Sequence, residues 1–118
     1  MAALTLFHNP KCSTSRKVAE ALDAAGVEYD VVLYLKDNPS RADLERIIGH
    51  LDDPVADLVR KDKRFGELGL DADDHTTADA VIDLLLEHPE LLQRPIIESP
   101  TRAAIGRPPD VVVASFIG

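Results

Sequence analysis

The chain has 118 residues, a length suited to one domain around one core. Its apolar (45%) and charged (29%) fractions are ordinary for a globular protein. A net charge of −8 argues against a nucleic-acid or membrane-surface binder, since either needs a broad basic face.

Read in chain order, the apolar run Leu4-Thr5-Leu6-Phe7 predicts a first strand. Residues 14–25 predict a helix, with Val18, Ala21, Leu22 and Ala25 at helical spacing and Gly26 as the stop. Val31-Val32-Leu33-Tyr34-Leu35 is apolar and β-branched, which predicts a buried strand. A β-α-β start implies a parallel pair joined by a crossover helix. Ser40 with Asp43 resembles a capping box for a helix whose inner face is Leu44, Ile47, Ile48 and Leu51. Pro54 opens a short helix through Arg60, and residues 64–75, with Gly66, Gly69 and several aspartates, predict turns and loop. Thr76 with Asp79 predicts a second capping box, before a helix carrying Ala78, Val81, Ile82 and Leu85 and ended by His88-Pro89. Residues 95–98 and 102–105 flank Ser99-Pro100-Thr101 as a hairpin. The last segment has two readings: Val111-Val112-Val113 favours a strand, whereas Pro108-Pro109 favours a helix start. This order fits a single α/β domain over residues 1–118. Its mixed four-stranded sheet and helical insertion are compatible with a thioredoxin-like arrangement.

Cys12 is the only cysteine, so no internal disulfide can form and a reducing compartment is the simpler home. No basic leader with a long apolar stretch follows Met1, read as the initiator, and no run reaches membrane-spanning length. The expectation is a cytoplasmic protein.

The chemistry concentrates in His8-Asn9-Pro10-Lys11-Cys12-Ser13-Thr14-Ser15-Arg16. Between a strand and a helix, this loop places the thiol at a helix N-terminus. The dipole and free N–H groups there favour a thiolate, and an anion beside it. A lone cysteine is usually a small buried apolar residue, but the polar neighbours here suit a solvated, reactive sulfur. Ser15 stands where a Cys-x-x-Cys motif has its second cysteine, so an external thiol must resolve any Cys12 adduct. Its hydroxyl either donates to the sulfur or serves as an ordinary first-turn group. His8 either tunes Cys12 or is a strand-end histidine satisfied by backbone. Arg16 either offsets the thiolate or faces solvent. Arg60, Arg94 and Arg107 lie near element boundaries, where guanidinium groups could grip a tetrahedral oxyanion or simply be solvated. Pro95 opens a strand opposite the active loop, where an X-Pro bond is sometimes cis. His50, His75 and His88 lack compact metal-ligand spacing, so no metal is expected.

Together with Val32-Leu33-Tyr34-Leu35, Leu58-Val59-Arg60-Lys61, Glu67-Leu68-Gly69-Leu70, His88-Pro89, Arg94-Pro95-Ile96 and Gly106-Arg107-Pro108-Pro109, this loop strongly resembles the glutaredoxin-coupled arsenate reductase (ArsC) family. The resemblance covers nearly the whole chain. It implies a thioredoxin-like fold and a helix after Pro109. It also implies Cys12 as nucleophile, with His8 and Ser15 beside it, Arg60, Arg94 and Arg107 on the oxyanion, and Pro95 at the cis-proline position. The implied activity is arsenate reduction through a covalent Cys12 adduct, by a monomer with no tightly bound cofactor. Glutathione or another low-molecular-weight thiol would be co-substrate and glutaredoxin the protein partner. Two other functions fit the fold: a Spx-like regulator that binds RNA polymerase, and a general glutathione-dependent thiol oxidoreductase.

Overall fold

The computed structural model describes residues 3–117, so Met1 lies outside the described residues. Strand β1 (Leu4–Phe7) leads into α1 (Ser13–Ala24), then β2 (Tyr29–Val32). The insertion follows as α2 (Arg41–Gly49), α3 (Lys63–Glu67) and α4 (Ala78–Glu87), with 3-10 turns at Val55–Leu58, Ala72–Asp74 and Pro89–Leu91. The hairpin β3 (Ile96–Glu98) and β4 (Ala103–Ile105) and the helix α5 (Pro109–Ile117) complete the chain. The sheet order is β2-β1-β3-β4. β1 pairs parallel with β2, Leu4 opposite Tyr29, and antiparallel with β3, Leu6 opposite Ile97.

Alternation along the strands divides the core into two. Leu4, Leu6 and Ile97 point to one face and pack with Val18 and Leu22 of α1 and Val113 of α5. Phe7, Ile96, Ala103 and Ile105 point to the other and pack with Leu44 and Ile47 of α2, Val81 and Leu85 of α4, and Tyr34. The active loop therefore leaves a central strand that is covered on both faces.

Local signals decided most element ends. Ser40 and Asp43 form the expected reciprocal capping box, and Gly26 follows α1 at φ 71°. Pro109 begins a helix, so the C-terminal ambiguity resolves against the strand.

Elsewhere the expectations need correction. The second strand is Tyr29–Val32, not 31–35, and it is an edge strand, with Val31 49% exposed. Its pairing ends where β1 ends: His8 N–H donates to Val32 C=O at 2.9 Å, and the chain then turns. Tyr34 drops into the core from that turn. Pro54 begins only a 3-10 turn that stops at Leu58, because Val59 bridges Leu92 and the Arg60 N–H donates to Leu91 C=O at 2.7 Å. Within 64–75, the first residues join the short helix α3, capped by Asp62, whose carboxylate accepts from Phe65 N–H; burial of Phe65 holds it in place. Thr77, not Thr76, caps α4, with its hydroxyl accepting from Ala80 N–H, so Asp79 falls one position short of closing a box.

Candidate active site

Cys12 is the N-cap of α1, with extended backbone (φ −93°, ψ 124°) and a half-buried side chain. The loop reaches it through a tight turn, with Cys12 N–H donating to Asn9 C=O at 3.0 Å and Lys11 N–H to Asn9 Oδ1 at 3.0 Å. Arg16 ties the loop to the helix from outside, donating from Nη1 to Pro10 C=O at 2.9 Å.

Ser15 is 0% exposed and fastens the inner side of the loop. Its Oγ lies 2.6 Å from His8 Nδ1 and accepts Asn9 N–H at 3.1 Å. Burial, assisted by the charge of Arg16, lowers the His8 pKa and keeps the ring neutral. The contact is a hydrogen bond between the neutral ring and the Ser15 hydroxyl. The Ser15 hydroxyl thus holds the loop and does not point to the sulfur; the Ser15 contribution to Cys12 is its backbone N–H.

Two of the three singled-out arginines reach the sulfur. Arg107 Nη2 lies 3.7 Å from Cys12 Sγ, and the Arg94 guanidinium stands close enough to the same atom to lower its pKa. Arg107 is positioned by Arg94 itself, since its Nε donates to Arg94 C=O at 3.0 Å. The Arg94–Pro95 peptide bond is cis, as is Arg107–Pro108. Gly106 lets these two segments meet, because a Cβ there would stand 2.8 Å from Pro95 Cγ. Arg60 stands further back, its Nε on Asp62 Oδ2 at 3.0 Å.

These groups set the charge on the sulfur. Burial pushes the Cys12 thiol up. The Ser15 and Thr14 N–H groups, the Arg94 guanidinium and the Arg107 charge together outweigh it, and the pKa ends below the ordinary thiol value. The result is a sulfur with raised thiolate character, close to two guanidinium groups at a helix N-terminus and suited to nucleophilic attack on an anionic electrophile.

Sequence reasoning missed three contributors. Asn9 builds the turn, Asp62 holds Arg60 while capping α3, and Tyr34 lies buried next to the site. The Asn-Pro dipeptide offered a turn signal for the first; the other two depend on contacts between distant segments. Among the described residues, no helix is long and apolar enough to cross a membrane, and no three His, Cys, Asp or Glu side chains cluster as cation ligands.

The description "ArsC family" belongs to the family model that matches residues 7–115. The chain is 41% identical over 114 residues to an arsenate reductase of Escherichia coli, covering 96% of this chain and 80% of that one. It is 40% identical over 111 residues to an arsenate reductase of Rhizobium meliloti (strain 1021), covering 93% and 79%. Among solved structures, an arsenate reductase from Vibrio cholerae superposes with a TM-score of 0.83 at 34% identity, covering 96% of this chain and 97% of that one. The mixed sheet with its insertion between β2 and β3 is the thioredoxin-like α/β fold expected from the sequence. By sequence and by fold, the chain belongs to the ArsC family.

Proposed function

We propose that this protein reduces arsenate to arsenite, with Cys12 as nucleophile and a low-molecular-weight thiol such as glutathione as reductant. The observation that carries the reading is the convergence of Arg94 and Arg107 on a single sulfur whose pKa is lowered at the start of α1. Arsenate is a tetrahedral anion at neutral pH. Arg94 and Arg107 offset its charge as it approaches, with Arg60 behind them, and place arsenic near the sulfur. The thiolate forms a sulfur–arsenic bond, and one arsenate oxygen leaves as water after protonation. His8, held neutral, and Ser15 keep the loop in register for this step.

The second half of the reaction needs a thiol from outside, because the chain has no second cysteine. Glutathione attacks the Cys12 sulfur, the sulfur–arsenic bond breaks, and its electron pair stays on arsenic. Arsenite leaves, and a mixed disulfide between Cys12 and glutathione remains. Glutaredoxin removes the glutathione by thiol–disulfide exchange and restores Cys12. The location proposed for this chemistry is the reducing cytoplasm, with the protein acting as a monomer.

The test is a coupled assay with arsenate, glutathione and glutaredoxin. Arsenite should accumulate, and Cys12→Ser should abolish it. No arsenite from protein whose Cys12 is confirmed reduced counts against the reading. Reduction of a mixed disulfide in the same sample would favour the general oxidoreductase.

A further inference from the structure

Two polar atoms beside Cys12 are buried without a hydrogen-bond partner: the Tyr34 phenol oxygen and Arg94 Nε. Tyr34 is 0% exposed. Its ring is fixed in the core with Phe7 and Leu44, and its hydroxyl faces the charges of Arg94, Cys12 and Arg60, with the Asn9 side-chain amide on the donor side of its oxygen and the phenol proton still unspent. A buried polar group left unpaired loses the hydrogen bonds it made with water, so native proteins rarely keep one without a use.

Both orphans have the same chemistry. Arg94 Nε–H can only donate. Burial pushes the Tyr34 pKa up, more than the neighbouring guanidinium groups pull it down, so the phenol keeps its proton and also donates. The surroundings offer few acceptors. Arg60 and Arg94 have none, Asn9 Oδ1 and Cys12 Sγ each already accept one hydrogen bond, and neither orphan is paired with Gln93 Oε1, a buried acceptor that is itself unpaired. Two adjacent donors thus await an acceptor beside a nucleophilic sulfur.

We infer that Tyr34 is a substrate-binding residue whose hydroxyl donates to one oxygen of the tetrahedral anion held by Cys12, Arg94 and Arg107. The inference rests on the oxyanion reading above. Both donors are shut off from water, so the inferred contact requires a movement of the Arg94 side chain that opens them to the anion. The phenol adds what the arginines lack. It is a neutral donor on a rigid ring, so it orients one oxygen without adding charge and holds the arsenic face toward sulfur.

The experiment titrates reduced protein with arsenate by calorimetry, without added thiol, alongside thermal unfolding. Tyr34→Phe should weaken binding about tenfold, equivalent to about 1.4 kcal/mol. Its melting temperature should be unchanged or higher, because the substitution removes an unpaired buried hydroxyl. A purely structural tyrosine would lower the melting temperature and leave the affinity of the folded fraction alone. A folded Tyr34→Phe protein that binds as tightly as the parent overturns the inference and leaves the oxyanion site standing. A parent protein that binds no arsenate with Cys12 reduced overturns the oxyanion reading first, and this inference with it. If Tyr34→Phe does not fold, Tyr29→Phe supplies the answer. It leaves Tyr34 as the only phenol in a chain without tryptophan. Arsenate should then shift the near-ultraviolet tyrosine absorption with the calorimetric midpoint, and a flat titration overturns the inference.

Discussion

Strand β3 has a different charged cluster at each end, and the two ends are built on opposite principles. At its far end Glu98, 8% exposed, accepts from Arg46 Nε and Nη2 at 2.9 and 3.0 Å and from His50 Nε2 at 2.8 Å. Arg46 is in turn held by Asp43 of the α2 capping box. Every charge there has an opposite within reach. At the near end, before β3 begins, Arg94 and Arg107 face one sulfur, and Arg94 Nε and Tyr34 Oη have no partner. A completed cluster fastens α2 to the sheet. An uncompleted one, rich in donors, is arranged for something that arrives. Local charge density alone does not separate the two; hydrogen-bond satisfaction does.

Substitutions at the two ends should therefore fail in different measurements. The largest effect is expected from Arg107→Ala, about a hundredfold loss in kcat/KM for arsenate, or about 2.7 kcal/mol of transition-state stabilisation. Urea unfolding should change little, because Arg107 is exposed. Wild-type kinetics in that variant would erase the distinction between the two ends.

Glu98→Gln should show the opposite pattern. It leaves Arg46 and His50 facing a neutral amide and should cost about 2 kcal/mol in urea unfolding, with kcat/KM nearly unchanged. The loss should also depend on pH. Burial pushes the Glu98 carboxyl up, but Arg46 and His50 outweigh it and the pKa falls below the ordinary value. A depressed carboxylate pKa contributes stability above the unfolded value and loses it as pH falls through the folded one. The stability gap between parent and Glu98→Gln should be constant above about pH 5 and close as pH drops below about 4.3. A gap that persists in acid would mean that Glu98 acts by packing rather than charge.

The smallest effect concerns the thiol itself. The rate of Cys12 alkylation should rise with pH at a midpoint below that of an ordinary thiol. Arg107→Ala should move that midpoint up and Glu98→Gln should leave it in place. An equal shift in both would show that the ends are coupled through the sheet.

How much of this was legible depended on the range of each interaction. The Ser40–Asp43 capping box, Gly26 after α1 and the strand–loop–helix around Cys12 rest on contacts within a few residues, and they stand as read. The cap of α4 was misplaced by one residue because Thr76 and Thr77 are both competent, and the packing of Val81, Ile82, Leu84 and Leu85 sets the helix phase. Val31–Leu35 looked like a buried strand because composition cannot show which strand lies at the edge.

The nature of the chemistry was written locally: one cysteine, placed after a strand and before a helix with hydroxyls and basic residues around it, carries its own tendency to ionise. Which cations serve that sulfur was not written there. Arg94 and Arg107 lie far along the chain and meet Cys12 only because β3 pairs beside β1, and because Gly106 lets the segment after β4 close against Pro95. Tyr34 joins them because β2 stops early and turns its next residues inward. A side chain's type is fixed by covalent structure, whereas its unmet hydrogen-bonding need exists only once every neighbour has been put in place.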